Sequence, residues 1–286
     1  MITSKLALPM LGIATLLLGG STAQADVTFY DVFTNNLYAQ TSNAQPSTAD
    51  GFFATAGLSY STAGDVGAVQ VVTGGSTSPL TLSSSPGNNF NYEASFSTEA
   101  GMNAAFPLGN PYTFEISGGS LGTQSASLNT PSTALNSAIP FLTGSSYSQL
   151  LGLNPTLSDT IGINGFSPVV GTNGSFAFFT ITRQSDNAVV FQQSFLSPST
   201  TSVLLAANTL AASTAYNIDL DYSSRITTPN AGFGTASSLI GFEQRTEISF
   251  TTGTAVPEPS SLALVLAVGM ALAGLVFRGR RSNLSA

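Results

Sequence analysis

From Asp26 onward the chain alternates short runs of every-other apolar residues with spacers rich in turn formers. Tyr92, Ala94 and Phe96 fall on one side of a predicted strand, with Glu93 and Ser95 on the other. Tyr112, Phe114 and Ile116 repeat the pattern against Thr113 and Glu115. Farther on, Ser175 to Gln184 and Ala188 to Phe195 read as two strands joined through Ser185-Asp186-Asn187, a hairpin signal. Tyr216, Ile218, Leu220 and Tyr222 alternate with Asn217, Asp219 and Asp221, and Ile248 and Phe250 mark a closing strand. Gly74-Gly75-Ser76, Ser85-Pro86-Gly87-Asn88, Gly118-Gly119-Ser120, Asn164-Gly165 and Asn173-Gly174 supply turn chemistry. Period-two alternation with one polar face is what an antiparallel sheet with one buried side requires. One stretch departs from it: Tyr147, Leu150 and Leu151 have helical spacing, which predicts a short helix within Ser145 to Leu153.

Strand patterning lapses between Pro131 and Pro140, which divides the body into 26–135 and 136–255. Each part has the usual size of one β-sandwich, so the expectation is an all-β antiparallel body of two fibronectin-III/Ig-like sandwiches. A single larger sandwich is the alternative. Composition agrees with strands, because Lys, Glu and Arg are rare and charged residues make up only 7% of the chain. With so few ions, Ser, Thr, Gly and Asn must solvate the surface.

Two long apolar runs lie at the ends. Lys5 precedes an apolar stretch from Leu6 to Gly20, and Ala23-Gln24-Ala25 is a small-residue cleavage site for signal peptidase. Residues 1–25 therefore read as a secretory signal. An uncleaved anchor fits less well, since the run is short and interrupted by Pro9 and Gly12. At the other end Val256-Pro257-Glu258-Pro259-Ser260 precedes an apolar run from Leu262 to Phe277, then Arg278, Gly279, Arg280 and Arg281. The prolines exclude a helix upstream. As a helix, 262–277 would rise about 24 Å, close to a bilayer core. Arg278, Arg280 and Arg281 would stay cytoplasmic, leaving the body outside.

The order Pro-Glu-Pro, apolar helix, Arg-rich terminus resembles the PEP-CTERM sorting domain, here over 256–281. That resemblance implies processing by a membrane-embedded exosortase, of the kind found in Gram-negative bacteria that make exopolysaccharide. The protein would pass through an inner-membrane intermediate to the cell envelope, the surface or the exterior. Extracellular polysaccharide is then an expected partner, besides signal peptidase and the exosortase during export. Within the body, Leu205 to Tyr216 resembles a strand-loop-strand of fibronectin-III-like sandwiches, in which an L-x-x-x-T-x-Y segment leads into a central strand. The segments Tyr222 to Arg225 and Gly241 to Thr246 are similar to parts of bodies that carry such tails.

Charge and residue types narrow the chemistry. The body holds thirteen carboxylates against Arg183, Arg225 and Arg245, a net charge of −10, and has no lysine. Nucleic-acid binding is excluded for want of a basic patch, and membrane contact is confined to the terminal signals. The chain has no Cys and no His. Disulfides, lipidation at a cysteine, His- or Cys-based nucleophile systems and His-ligated metals are therefore all unavailable. Carboxylates remain. Asp219 and Asp221, joined by Glu243 and Glu247 if the last strand lies nearby, are the candidate pair for glycoside hydrolysis. However, Glu93, Glu115, Asp219, Asp221 and Glu247 all fall on polar strand faces, as on a solvated sheet. Asp219 with Asp221, or Asp186 with Asn187, would ligate calcium only if another segment converged on them. Arg225 and Arg245 are expected to pair with Asp221, Glu243 or Glu247. Tyr30, Tyr38, Tyr60 and Tyr147 are candidates for an exposed sugar-binding rim. These readings favour a non-enzymatic structural or adhesive protein that needs no cofactor. A carbohydrate-binding module is the alternative, and a carboxylate glycosidase the third possibility.

Overall fold

The alternating runs become strands of unequal length in a computed structural model that describes residues 26–254. Ala23 and Ala25, the Pro257-Glu258-Pro259 motif, the 262–277 run and the terminal arginines lie outside the described residues. In chain order the elements are β1 (Val27–Ala39), β2 (Gly51–Tyr60), β3 (Ala68–Val72), β4 (Leu80–Ser85), β5 (Asn89–Phe96) and α1 (Glu99–Ala105). Next come β6 (Pro111–Ser117), β7 (Gln124–Asn129), α2 (Ser146–Leu150), β8 (Asp159–Gly162) and β9 (Gly174–Arg183). The last are β10 (Ala188–Leu196), β11 (Ser202–Leu205), β12 (Ala215–Thr228) and β13 (Ser237–Thr251). The fold is all-β, as the alternation predicts. Among the described residues no helix is long and apolar enough to cross a membrane.

Eleven strands form one ladder in the order β10-β9-β12-β13-β1-β2-β5-β4-β3-β6-β7, and β11 pairs with β8 in a second, small sheet. Every neighbour is antiparallel except β1 and β13, which run parallel from Phe29↔Ser237 to Ala39↔Glu247. A parallel pair needs a long crossover; here nearly the whole body lies between the two strands.

The register puts both hydrophobic cores on one face of the central sheet. Tyr30 lies beside Ser238 and Val32 beside Ile240. Continuing by twos along β13 leads from Ile240 and Phe242, in the first core, to Ile248 and Phe250, in the second. β4 folds the first half into two layers: Leu80 and Leu82 pair with β3, whereas Ser83 to Ser85 pair with β5. Between these layers Tyr30 meets Phe114 and Phe233 edge-on, with ring centroids 5.0 and 5.5 Å away. α1, N-capped by the Thr98 hydroxyl accepting from Gly101 N–H, closes this core with Met102, Ala105 and the following Phe106.

The second half has the strand order of a fibronectin-III sandwich. Leu142 bridges Ile163 next to the β8–β11 sheet, and this layer covers β10-β9-β12-β13. Ile161, Val203 and Leu205 from the small layer pack against Phe179, Ile181, Ile218 and Leu220. Tyr216 opens β12, and its hydroxyl accepts from Ala211 N–H at 2.9 Å. This is the tyrosine corner of such sandwiches, and it falls on the L-x-x-x-T-x-Y segment. α2 sits within the predicted helical stretch; α1 has no counterpart in the sequence reading.

Two tyrosines expected on a rim are core residues instead. Tyr30 is fully buried and donates to Ala231 O at 2.6 Å, and Tyr38 is buried and donates to Gln244 Oε1 at 2.9 Å. Both occupy core-facing positions of β1, where a phenol buries its ring provided its hydroxyl finds a partner. Tyr60 and Tyr147 are half-buried, packed against the first and second cores respectively. The four form no aromatic rim.

Candidate functional site

Because both cores occupy one face of the central sheet, its other face looks outward, and there the charged side chains gather. Pairing across β12, β13 and β1 sets them in rows: Arg225, Gly241 and Phe33; Ser223, Glu243 and Asn35; Asp221, Arg245 and Leu37; Asp219, Glu247 and Ala39. β9 adds Phe176 beside Ser223, Phe178 beside Asp221 and Thr180 beside Asp219. Asp31 lies one row beyond Phe33, opposite Gly57 of β2.

Two ionic groups result. In the first, Arg245 Nη2 donates to Asp219 Oδ1 at 2.6 Å and stands 3.2 Å from Glu247 Oε1. Its Nε is 3.2 Å from Asp219 Oδ1 and 3.8 Å from Asp221 Oδ1, the latter an ion pair too long for a hydrogen bond. In the second, Arg225 stands 3.7 Å from Glu243 Oε1, and its Nε donates to Ser223 Oγ at 2.8 Å. Ser223 Oγ in turn lies 3.2 Å from Glu243 Oε1, and Asn35 Nδ2 donates to Glu243 Oε2 at 3.3 Å. The guanidinium also lies over the rings of Phe178, Phe33 and Phe176, at 5.3, 5.5 and 5.9 Å. Both arginines pair with the acids expected of them, and Asp219 joins as a further partner.

Glycines make the close packing possible. A side chain at Gly57 would put its Cβ 2.6 Å from Asp31 Oδ1, and one at Gly241 would collide with the ring of Phe33. Asp31 and Phe33 thus lie over bare backbone. The consequence is desolvation. Burial pushes the Asp31 carboxyl up to about 7, with Arg225 opposing the rise and Glu243 adding to it. Burial likewise holds Asp221 well above the usual carboxylate range despite Arg245, and it raises Glu247. Arg225 is lowered by burial. Burial alone would lower Arg245 too, but Asp221, Asp219 and Glu247 outweigh it and raise its pKa.

This face therefore differs from the solvated surface expected of it. Glu93 and Glu115 are exposed, as the alternation implies, but Asp219, Asp221 and Glu247 are half-buried in an ion-pair lattice. The sequence reading also missed Asp31, Phe33 and Asn35. The signal was the Tyr30, Val32, Asn36, Tyr38 alternation, blurred because Phe29, Phe33 and Leu37 make the opposite face apolar too.

Chemically, the arrangement favours cohesion over catalysis. A glycosidase needs two carboxylates flanking a cleft, one free to act as acid and the other as base or nucleophile. Here Arg245 stands among Asp219, Asp221 and Glu247, on an open sheet face. Among the described residues no group of three or more acids is arranged to hold a metal ion. Asp186, the other calcium candidate, pairs with Arg183 at 3.5 Å and accepts from Ala188 N–H in the β9–β10 turn.

No protein-family model matches the sequence, and no curated protein matches it. Among solved structures the chain is similar to the FN1–FN3 domains of chicken CNTN1, at 10% identity. That match covers 82% of this chain and 67% of the other, with a TM-score of 0.25. It is also similar to a BSP domain of a biofilm associated protein, at 13% identity and a TM-score of 0.21. There it covers 78% of this chain but 29% of the other, so it spans under a third of that protein's solved length. The assignment to all-β sandwiches rests on the strand order and the two cores.

Proposed function

We propose that this is an exported, non-enzymatic envelope or extracellular-matrix protein, sorted by an exosortase-type system, with a structural or adhesive role in biofilm and exopolysaccharide association. The observation that carries this reading is the tail: Pro257-Glu258-Pro259, the apolar run to Phe277 and the three arginines, in that order, on a chain whose residues 1–25 read as a secretory signal. The body is compatible with it. Asp219, Asp221, Glu243 and Glu247 are engaged in ion pairs on an open sheet, and the acidic body is rich in hydroxyl side chains. Sorting would place a temporary anchor in the inner membrane, then release the body to the envelope or beyond.

Mass spectrometry of the protein recovered from the envelope of an exosortase-containing host tests the sorting. The expected C-terminus lies near Pro257 to Ser260, with Leu262 to Ala286 missing. Replacing Pro257, Glu258 and Pro259 together by Ala should leave the tail intact and hold the protein in the inner membrane. A mature protein that keeps its tail in the unmodified chain would rule out the sorting role. Co-sedimentation of the processed protein with exopolysaccharide from the same cells tests the association, and protein left wholly in the supernatant would sink that part.

A further inference from the structure

The two ends of the eleven-strand ladder differ. β7 lies against the connection from β12 to β13: a side chain at Gly232 would put its Cβ 2.6 Å from Ala126 Cβ, and Phe233 and Ala236 are buried in the same core. β10, at the other end, has no hydrogen-bonded neighbour on its outer side among the described residues. An edge strand's unpaired N–H and C=O groups recruit another strand unless charge, proline or a bulge prevents it. From Ala188 to Leu196 there is no charge and no proline.

What β10 has is two bulges, at register shifts between Val189 and Phe191 and between Gln193 and Leu196. They are evenly placed about Gln192. Val189 faces Thr182 and Gln192 faces Thr180, both on the open side of the sheet. Phe195 reaches the same side, packing edge-on against Phe176 and Phe178 at 5.4 and 5.2 Å. Val189 is 50% exposed and Phe195 47% exposed. A flat strand does not match an edge bent at two places. A second copy of the same strand does: about a two-fold axis through Gln192, Val189 of each copy meets Phe195 of the other, and bulge meets bulge.

We propose that the β10 edge is a self-recognition surface, where two copies pair antiparallel about Gln192 and continue their open faces into one larger sheet. Charge permits it. The body is acidic, but the nearest strand carboxylates of the open face are on β12, two strands in from the edge. Across the joint the two β12 strands would be five strand spacings apart, about 24 Å. That exceeds a screening length of about 8 Å at physiological salt.

The chain has no cysteine, so a single Gln192→Cys substitution in the full chain, held in mild detergent, reports the axis directly. Facing residues of an antiparallel pair lie about 4.5–5.5 Å apart at Cα, within disulfide reach. Oxidation should link two copies covalently. Ser125→Cys on β7, also at an exposed position, should give no linked dimer. Adding Phe195→Asp to Gln192→Cys should abolish the link while the circular dichroism of the fold is retained. Light scattering of the unmodified chain should find two copies per particle. A monomer, a Gln192→Cys chain that links no faster than Ser125→Cys, a link to another protein, or one indifferent to Phe195→Asp would each overturn the proposal.

Discussion

Asp31 sits where a carboxylate is least comfortable, over the bare backbone of Gly57 and between Arg225 and Glu243 in charge. Its folded pKa of about 7 lies above the ordinary value of 3.8, so the native state binds the proton more tightly than the unfolded chain does. This contribution to stability is complete below about pH 4 and is lost as pH rises through 7. Asp221 and Glu247, also raised, act in the same direction. Asp31→Asn, which mimics the protonated acid, should match the parent in urea denaturation at pH 4. At pH 8 it should exceed the parent by up to about 4 kcal/mol, the free-energy equivalent of raising the carboxyl from 3.8 to about 7. A variant weaker than the parent at pH 8 would show that the ionised form is what the fold requires. Arg245 makes the opposite case, since it holds Asp219, Asp221 and Glu247 together. Its side chain is 12% exposed against 18–37% for the three acids, so solvent screening reduces the full cost of an orphaned buried pair. Arg245→Met should still cost about 2–4 kcal/mol near neutral pH. Part of that should return in acid, as the freed carboxylates take up protons. A loss independent of pH would mean that Arg245 matters through packing alone.

The strands that could be read from sequence are β5, β6 and most of β12, which have one polar and one apolar face, and the β9–β10 hairpin, which carries a turn signal at Ser185-Asp186-Asn187. β1 could not, because its outward positions Phe29, Phe33 and Leu37 are apolar too, and only the pairing with β13 shows what Phe33 lies on. α1 was hidden by its length: seven residues, Glu99 to Ala105, with Gly101 in the first turn, carry too little periodicity to register. For the candidate site, the acids of β12 and β13 were visible as a polar face and their partnership with the two arginines followed from proximity. Their convergence with Asp31 and Asn35 was not visible, since β1 and β13 stand some two hundred residues apart and parallel pairing leaves no hairpin signal. The element most fully written in the sequence is the entry to β12. Leu210 is buried, and Tyr216 ties its hydroxyl to Ala211 N–H, so the corner is fixed before the strand begins. Tyr216→Phe keeps the ring stacked on Phe250 and removes only that bond. The expected loss is about 1 kcal/mol in equilibrium unfolding. No measurable change would mean that the ring alone holds the corner.

At the scale of the whole molecule, the question is whether the two cores unfold together. β13 belongs to both, through Ile240 and Phe242 at one end and Ile248 and Phe250 at the other, and β1 is paired with it along eleven consecutive positions. Contacts between the halves go beyond the ladder: the Gln40 amide donates to Leu142 O at 3.0 Å and accepts from Leu142 N–H at 2.7 Å. Unfolding the first half would strip β1 from β13 and orphan these groups, and unfolding the second would take away a strand that the first core needs. The body should therefore melt in one transition, even though its apolar residues fall into two clusters. Ile116→Ala in the first core and Ile181→Ala in the second should each cost about 2–5 kcal/mol. Each should lower the same single midpoint, by about 2–4 °C per kcal/mol for a body of this size. Hydrogen exchange supplies the local check. Amides of β6 should lose protection in Ile181→Ala as far as those of β9 do, because both open through the same global event. If calorimetry resolves two transitions and each substitution moves only the one belonging to its own core, the shared strand does not couple the halves.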